Sequence, residues 1–175
     1  MSLYETPAGG TAKLILTHTV NSKGQLSGVV TMDQSASYTA AFTGDAEYAP
    51  AETAAKTVDI DAKVSESISG NYSTSSYYRV YHHTAKVATA VTVAPDKPGE
   101  CVKLEIQRIS HDAWKAYAMT GCMTLNSASK AATSLTLTKY PVDSKYRVRA
   151  DYVRSSSDTK NLSTDSGWDY FIVNK

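Results

Sequence analysis

Apolar and polar residues alternate with a period of two along most of the chain, which is the pattern of half-buried β-strands. Residues 86–93 place Val87, Thr89, Val91 and Val93 on one side. Residues 146–152 place Tyr146, Val148, Ala150 and Tyr152 inward and their charges outward. Similar short runs at 3–6, 13–20, 26–32, 38–42, 57–60, 62–69, 77–83, 134–138 and 168–173 predict further strands. Turn chemistry separates them: Pro7-Ala8-Gly9-Gly10, Asn21-Ser22-Lys23-Gly24, Gly44-Asp45 and Pro95-Asp96-Lys97-Pro98-Gly99. Only Ala51-Glu52-Thr53-Ala54-Ala55-Lys56 would suit a helix, and Pro50 with the β-branched run after it favours a loop leading into a strand. Trp168 and the aromatics after it are expected to pack on a core.

The most regular stretch is a hairpin from Cys101 to Cys122 with its tip at Ser110-His111-Asp112-Ala113. A turn centred between His111 and Asp112 pairs Ile109 with Trp114, Ile106 with Tyr117, Leu104 with Met119 and Cys101 with Cys122. One face then carries Val102, Leu104, Ile106, Tyr117 and Met119. Facing positions on an antiparallel pair suit a disulfide between the chain's two cysteines. Closing a loop of about twenty residues stabilises by about 3 kcal/mol on the chain-entropy model, and the bridge persists in an oxidising compartment. A secreted or surface-exposed protein is expected.

Composition narrows the function classes. Eighteen basic residues against seventeen acidic ones leave a formal charge of +1, so no strong field draws nucleic acid or an anionic membrane. No apolar run approaches the length of a membrane span. The four histidines, His18, His82, His83 and His111, lack metal-ligand spacing, and His82 and His83 as strand neighbours point to opposite faces. His111 beside Asp112 reads as turn chemistry. Asp59 and Asp61 are two carboxylates where a calcium ion wants six to eight oxygens, and they read as solvated. No nucleophile elbow, phosphate-binding loop or zinc-protease motif is present. No cofactor and no catalytic residues are expected. Lys145, Arg147, Arg149 and Arg154 form a small basic patch on an outward face. Tyr72, Tyr77, Tyr78 and Tyr81 suit strands as well as a binding surface.

The two halves repeat one order of strands. Tyr38-Thr39-Ala40-Ala41-Phe42 falls opposite Tyr146-Arg147-Val148-Arg149-Ala150, residues 3–6 opposite 102–107, 26–32 opposite 132–138, and 57–60 opposite 170–173. A tyrosine opening the penultimate strand, as Tyr38 and Tyr146 do, stands where immunoglobulin-like sandwiches place a tyrosine corner.

Residues 39–50, Thr39 to Pro50, followed by Lys56-Thr57-Val58-Asp59-Ile60, resemble the end of immunoglobulin-like repeats of secreted actinobacterial proteins. The second half, with Tyr78-Arg79-Val80-Tyr81-His82, the two cysteines and Trp168-Asp169-Tyr170-Phe171, resembles the domain that follows such repeats. The resemblance implies an all-β chain of tandem immunoglobulin-like β-sandwich domains, 1–61 and 62–175, and supplies no functional residues. Residues 62–100 leave room for two opening strands in the second half, whereas only Met1 and Ser2 precede Leu3. The first domain is therefore expected to lack its opening strands. The expected role is a non-catalytic bacterial extracellular module, a structural spacer or an adhesion domain with a protein or glycan partner. One alternative is an assembly module forming homo-oligomers through an open sheet edge of the first domain. Another is a carbohydrate-binding appendage of a secreted hydrolase, a reading that requires exposed tyrosines or tryptophans in a line or cleft.

Overall fold

The computed structural model describes all residues, Met1–Lys175, and the chain is all-β: the helical content is a single 3-10 turn at Leu137–Lys139. Two compact units form, Met1–Asp61 with Ser156–Leu162, and Ala62–Ser155 with Ser163–Lys175. The segment Ser156–Leu162 thus belongs to the first unit although the sequence places it inside the second domain.

In the first unit, β1 (Ser2–Pro7) lies between β2 (Lys13–Thr17) and β3 (Ala36–Phe42), and both β4 (Ala51–Glu52) and β5 (Lys56–Val58) pair with β3. Leu3 stands opposite Leu16 on one side and Ala40 on the other, and Ala36 opposite Val58, so one face of this single sheet is apolar. The expected strand at 26–32 does not form. The turn before it does: Gly24 takes a positive φ of 70°, and the Asn21 side chain accepts from the backbone N–H groups of Lys23 and Gln25. Beyond Gln25 the chain crosses Leu16 so closely that a Cβ at Gly28 would sit 2.6 Å from Leu16 Cδ2, and Val29 is left in solvent. β-branched residues make a strand only where a sheet edge receives them. Ser156–Leu162 is held by Ser35 N–H donating to Lys160 O, Asn161 Nδ2 donating to Asp33 O and Leu162 N–H donating to Ile60 O. Tyr38 is buried, but its hydroxyl meets Glu5 Oε1 at 3.4 Å, its neighbour on β1, and does not form a tyrosine corner.

The second unit begins with β6 (Lys63–Ser69), β7 (Ser73–Ser75), β8 (Tyr78–His82) and β9 (Lys86–Ala94). It continues with β10 (Cys101–Ser110), β11 (Ala113–Met119), β12 (Met123–Thr124) and β13 (Lys130–Thr136). β14 (Ser144–Val153), β15 (Thr164–Asp165) and β16 (Asp169–Asn174) complete it. One sheet has the order β13-β9-β6 and the other β11-β10-β14-β16-β8-β7, with β12 on β10 and β15 on β14. Every pairing is antiparallel except that of β8 with β16. Val87, Val91 and Val93 from the smaller sheet meet Val102, Leu104, Ile106, Tyr146, Val148, Ala150, Tyr152, Phe171 and Val173 from the larger in one core. This is a sandwich-like packing of two sheets, and the inward positions of β9 and β14 are those that their alternation predicts. Tyr146 Oη donates to Pro141 O at 3.0 Å, five residues upstream, in the geometry of a tyrosine corner.

The cysteine hairpin turns through His111 and Asp112, both at positive φ (52° and 59°), as a two-residue type I′ turn requires. Ile109 faces Trp114 as expected, but the register slips between Ile106 and Gln107, so Ile106 faces Ala118 and Glu105 faces Met119. Tyr117 is the extra residue of this bulge. One inserted residue reverses the faces of what lies beyond it, so Met119 is exposed opposite Glu105, whereas Tyr117 keeps its ring against the core tyrosines Tyr140 and Tyr146 at the margin of the core. Cys101 accordingly pairs with Thr124 in the ladder, yet its sulfur bonds that of Cys122, with the Cα atoms 5.5 Å apart. Thiol titration of the denatured, unreduced chain is expected to find no free thiol; two would remove the bridge. Reduction is expected to cost the second unit about 3 kcal/mol, read as a lower denaturation midpoint.

Candidate functional site

The outward residues of β14 are Lys145, Arg147, Arg149 and Asp151, because Tyr146, Val148, Ala150 and Tyr152 take the core positions. Cross-strand register sets their neighbours. Glu105 and Gln107 of β10 stand opposite Arg149 and Arg147, and Tyr170 of β16 stands opposite Arg147 on the other side. Trp114 arrives from β11 and Trp168 from just ahead of β16. The result is a band of aromatic and guanidinium groups across the outer face of the larger sheet.

Arg147 lies between two indoles, its guanidinium carbon 4.7 Å from the Trp114 ring centre and 4.0 Å from that of Trp168. Its Nε and Nη2 donate to Gln107 Oε1 at 2.9 and 2.6 Å, and Gln107 Nε2 donates to Glu105 Oε1 at 2.7 Å. Arg149 also lies against Trp168, at 4.7 Å, and is tied to Glu105, Asp151 and Asp165. Stacking and hydrogen bonds together hold both cations in one orientation. Burial pushes the Asp151 carboxyl up to about 6; Arg149 opposes the shift, and the charges of Asp165 and Glu105 add to it.

Beyond Trp114 the band continues through Tyr170, whose ring centre is 5.8 Å away, to Tyr77 at 5.1 Å and Tyr78 at 5.8 Å from Tyr170. Tyr77 is 65% exposed and caps the end of the row, while Tyr78 is buried beneath it and Lys145 Nζ stands 5.2 Å over the Tyr78 ring. Trp168 packs on arginines rather than on the core.

The other residues singled out from the sequence fall elsewhere. Tyr81 is wholly buried in the core and takes no part in a surface. Tyr72 is exposed and stacks on His82 at 4.0 Å, and Arg154 is exposed past the end of β14. His82 Nδ1 contacts Lys175 O and His83 Nε2 contacts Thr138 O, so the two rings point to different partners. His111 Nδ1 is 3.2 Å from Ser110 Oγ at the hairpin tip. His18, Asp59 and Asp61 are exposed, and no three His, Cys, Asp or Glu side chains gather as a metal site. No helix is long and apolar enough to cross a membrane.

Two features are less visible in the sequence. Trp114 and Trp168 join the arginines only through the register of β10, β14 and β16. Glu66 shares the inward stripe of β6 with Val64 and Ile68, and both its carboxyl oxygens are buried without a hydrogen-bond partner. Burial and the neighbouring Asp169 carboxylate push its pKa up to about 8, against the pull of Arg79. That alternation, Val64-Glu66-Ile68, is the signal that exposes it. No protein-family model and no curated protein matches the chain.

Proposed function

We propose that the chain is a non-catalytic extracellular module of two immunoglobulin-like domains, the first lacking its opening strands, which adheres to a partner through the aromatic and arginine face of the second. The face itself carries this reading. Tryptophan, tyrosine and arginine dominate the energetics of recognition surfaces, since each supplies large contact area at small ordering cost. Here five aromatic rings and two stacked arginines share one outer face, held in place before any partner arrives. Preorganisation of this kind lowers the ordering cost of binding.

The immunoglobulin-like part of the proposal draws on the strand order of the two sheets and on the Tyr146 hydroxyl bond to Pro141 O. The first unit repeats the same neighbours in the same order: β2, β1, β3 and β5 there, β11, β10, β14 and β16 here. The extracellular part draws on the Cys101–Cys122 bridge.

The test is binding of the labelled chain to a panel of immobilised glycans and intact bacterial cells, beside the variants Trp114→Ala and Tyr77→Ala. Saturable binding that falls at least about tenfold in Trp114→Ala, with an unchanged melting temperature for Tyr77→Ala, is the expected result. Absence of binding to the whole panel, or binding indifferent to both substitutions, overturns the proposal.

A further inference from the structure

We infer that Arg147 and Lys145 anchor the carboxylates of an acidic, uronate-type polysaccharide whose sugar rings lie along Tyr77, Tyr170 and Trp114. The inference rests on the reading of this face as a binding surface and names its ligand.

Charge selects the sign of the ligand. Arg149 is surrounded by Glu105, Asp151 and Asp165, so its charge is spent within the protein. Arg147 hydrogen-bonds only the neutral Gln107 side chain and packs on two indoles, and Lys145, with its Nζ over the Tyr78 ring, makes no ion pair within 4 Å, although Asp112 and Asp143 share its surroundings. Two cations without an ion-pair partner therefore sit beside the aromatic row.

Donor geometry selects the group. Gln107 Oε1 takes the Nε hydrogen of Arg147 and one hydrogen of Nη2. The remaining Nη2 hydrogen and those of Nη1 form the end-on fork of the guanidinium, which fits the two oxygens of a carboxylate. Both indoles pack on the guanidinium, at 4.7 and 4.0 Å from its carbon, and the end-on fork is the part without a hydrogen-bond partner in the protein.

The row beside it selects the rest of the ligand. Ring centres succeed one another at 5.1 Å from Tyr77 to Tyr170 and 5.8 Å from Tyr170 to Trp114, packed edge to face at 85° and 61°, so the row offers ring edges and separate aromatic contacts along a chain of sugars rather than one flat platform. The backbone of β14 is paired with β10 on one side and β16 on the other, so the face offers side chains alone. A peptide that binds by strand addition needs a free strand edge, which this face does not present, and polyglutamate in the test below covers recognition of acidic side chains alone.

The test uses the full chain in affinity electrophoresis through gels containing polygalacturonate, its fully methyl-esterified form, heparin or polyglutamate. Retardation by polygalacturonate, its loss on esterification and its weakening at high salt are expected. Arg147→Gln is expected to weaken retardation about tenfold or more, and Arg147→Lys, which keeps the charge but neither the planar stacking nor the fork, by a smaller factor. Should Arg147→Gln fail to fold by far-ultraviolet circular dichroism, since both tryptophans lie against Arg147, Arg147→Lys and Lys145→Gln carry the comparison. Equal retardation by the free and esterified polymers, retardation by heparin or polyglutamate alone, or indifference to these substitutions overturns the inference. A chain that no polymer retards overturns it too, while the wider binding role is still decided by the cell panel with Trp114→Ala.

Discussion

Glu66→Gln is expected to stabilise the second unit at alkaline pH and to leave it nearly unchanged at acid pH. In the folded state the Glu66 carboxyl titrates at about 8, and unfolded it titrates at its ordinary value of 4.5. A folded pKa raised above the unfolded one means that the folded state holds its proton longer. The contribution is whole below pH 4.5, declines as the unfolded chain gives up its proton, and is gone once the pH passes the folded value near 8. Glutamine keeps the shape and stays neutral throughout. The stability difference between variant and native chain should open from pH 5 to pH 8 and level off above, on the order of 5 kcal/mol at about 1.4 kcal/mol for each unit between the two values. Asp151 is lost from the balance earlier, through a folded value near 6, so the interval from pH 7 to pH 9 belongs mainly to Glu66. Both tryptophans, Trp114 and Trp168, lie in the second unit, and their fluorescence follows its unfolding alone. A difference that does not change with pH would show that Glu66 ionises freely.

Val148→Asp and Leu104→Asp are each expected to unfold the second unit outright. Both side chains are 0% exposed, Val148 stands opposite Ile106 and Leu104 opposite Ala150, and all four belong to the core between the sheets. An aspartate at either place loses the apolar contact and buries a carboxyl with nothing to pair it, a cost above about 4 kcal/mol and comparable with the stability of a small domain. The expected observation is loss of the cooperative fluorescence transition in both variants. A native-like melting curve for both would place these residues outside the core.

How far the sequence speaks depends on what decides each feature. Val87, Val91 and Val93, or Tyr146, Val148 and Tyr152, are legible because a strand with one buried face writes that face into every second position. The hairpin tip is legible because His111 and Asp112 suffice to close it. The bulge at Tyr117 is not, since a single extra residue satisfies the same local pattern and only pairing with β10 reveals it. Residues 26–32 have strand composition without an edge to receive them, and composition cannot report on the edge. Tyr38 and Tyr146 occupy matching places in the repeat, but a hydroxyl bonds whatever the surrounding loop supplies: Glu5 in one case and Pro141 in the other. The arginines of the face can be seen to point outward, whereas Trp168 and Tyr170 read as core aromatics. Their assembly cannot be seen, because Trp114, Arg147 and Trp168 come from separate strands brought together by non-local register. Glu66 was open to view in the β6 alternation, where a charged residue on a short strand is easily taken for a solvated one.

The pairing of β8 with β16 bears on how the second unit carries load. These strands run parallel, with Arg79, Val80, Tyr81 and His82 opposite Phe171, Ile172, Val173 and Asn174. Tension entering at the start of β8 and leaving at the end of β16 draws the two strands along their own axes in opposite directions. Their bonds are then stretched together in shear, whereas a hairpin pulled at its open end surrenders its bonds one at a time. A pull along these two strands is therefore resisted by the whole seam at once.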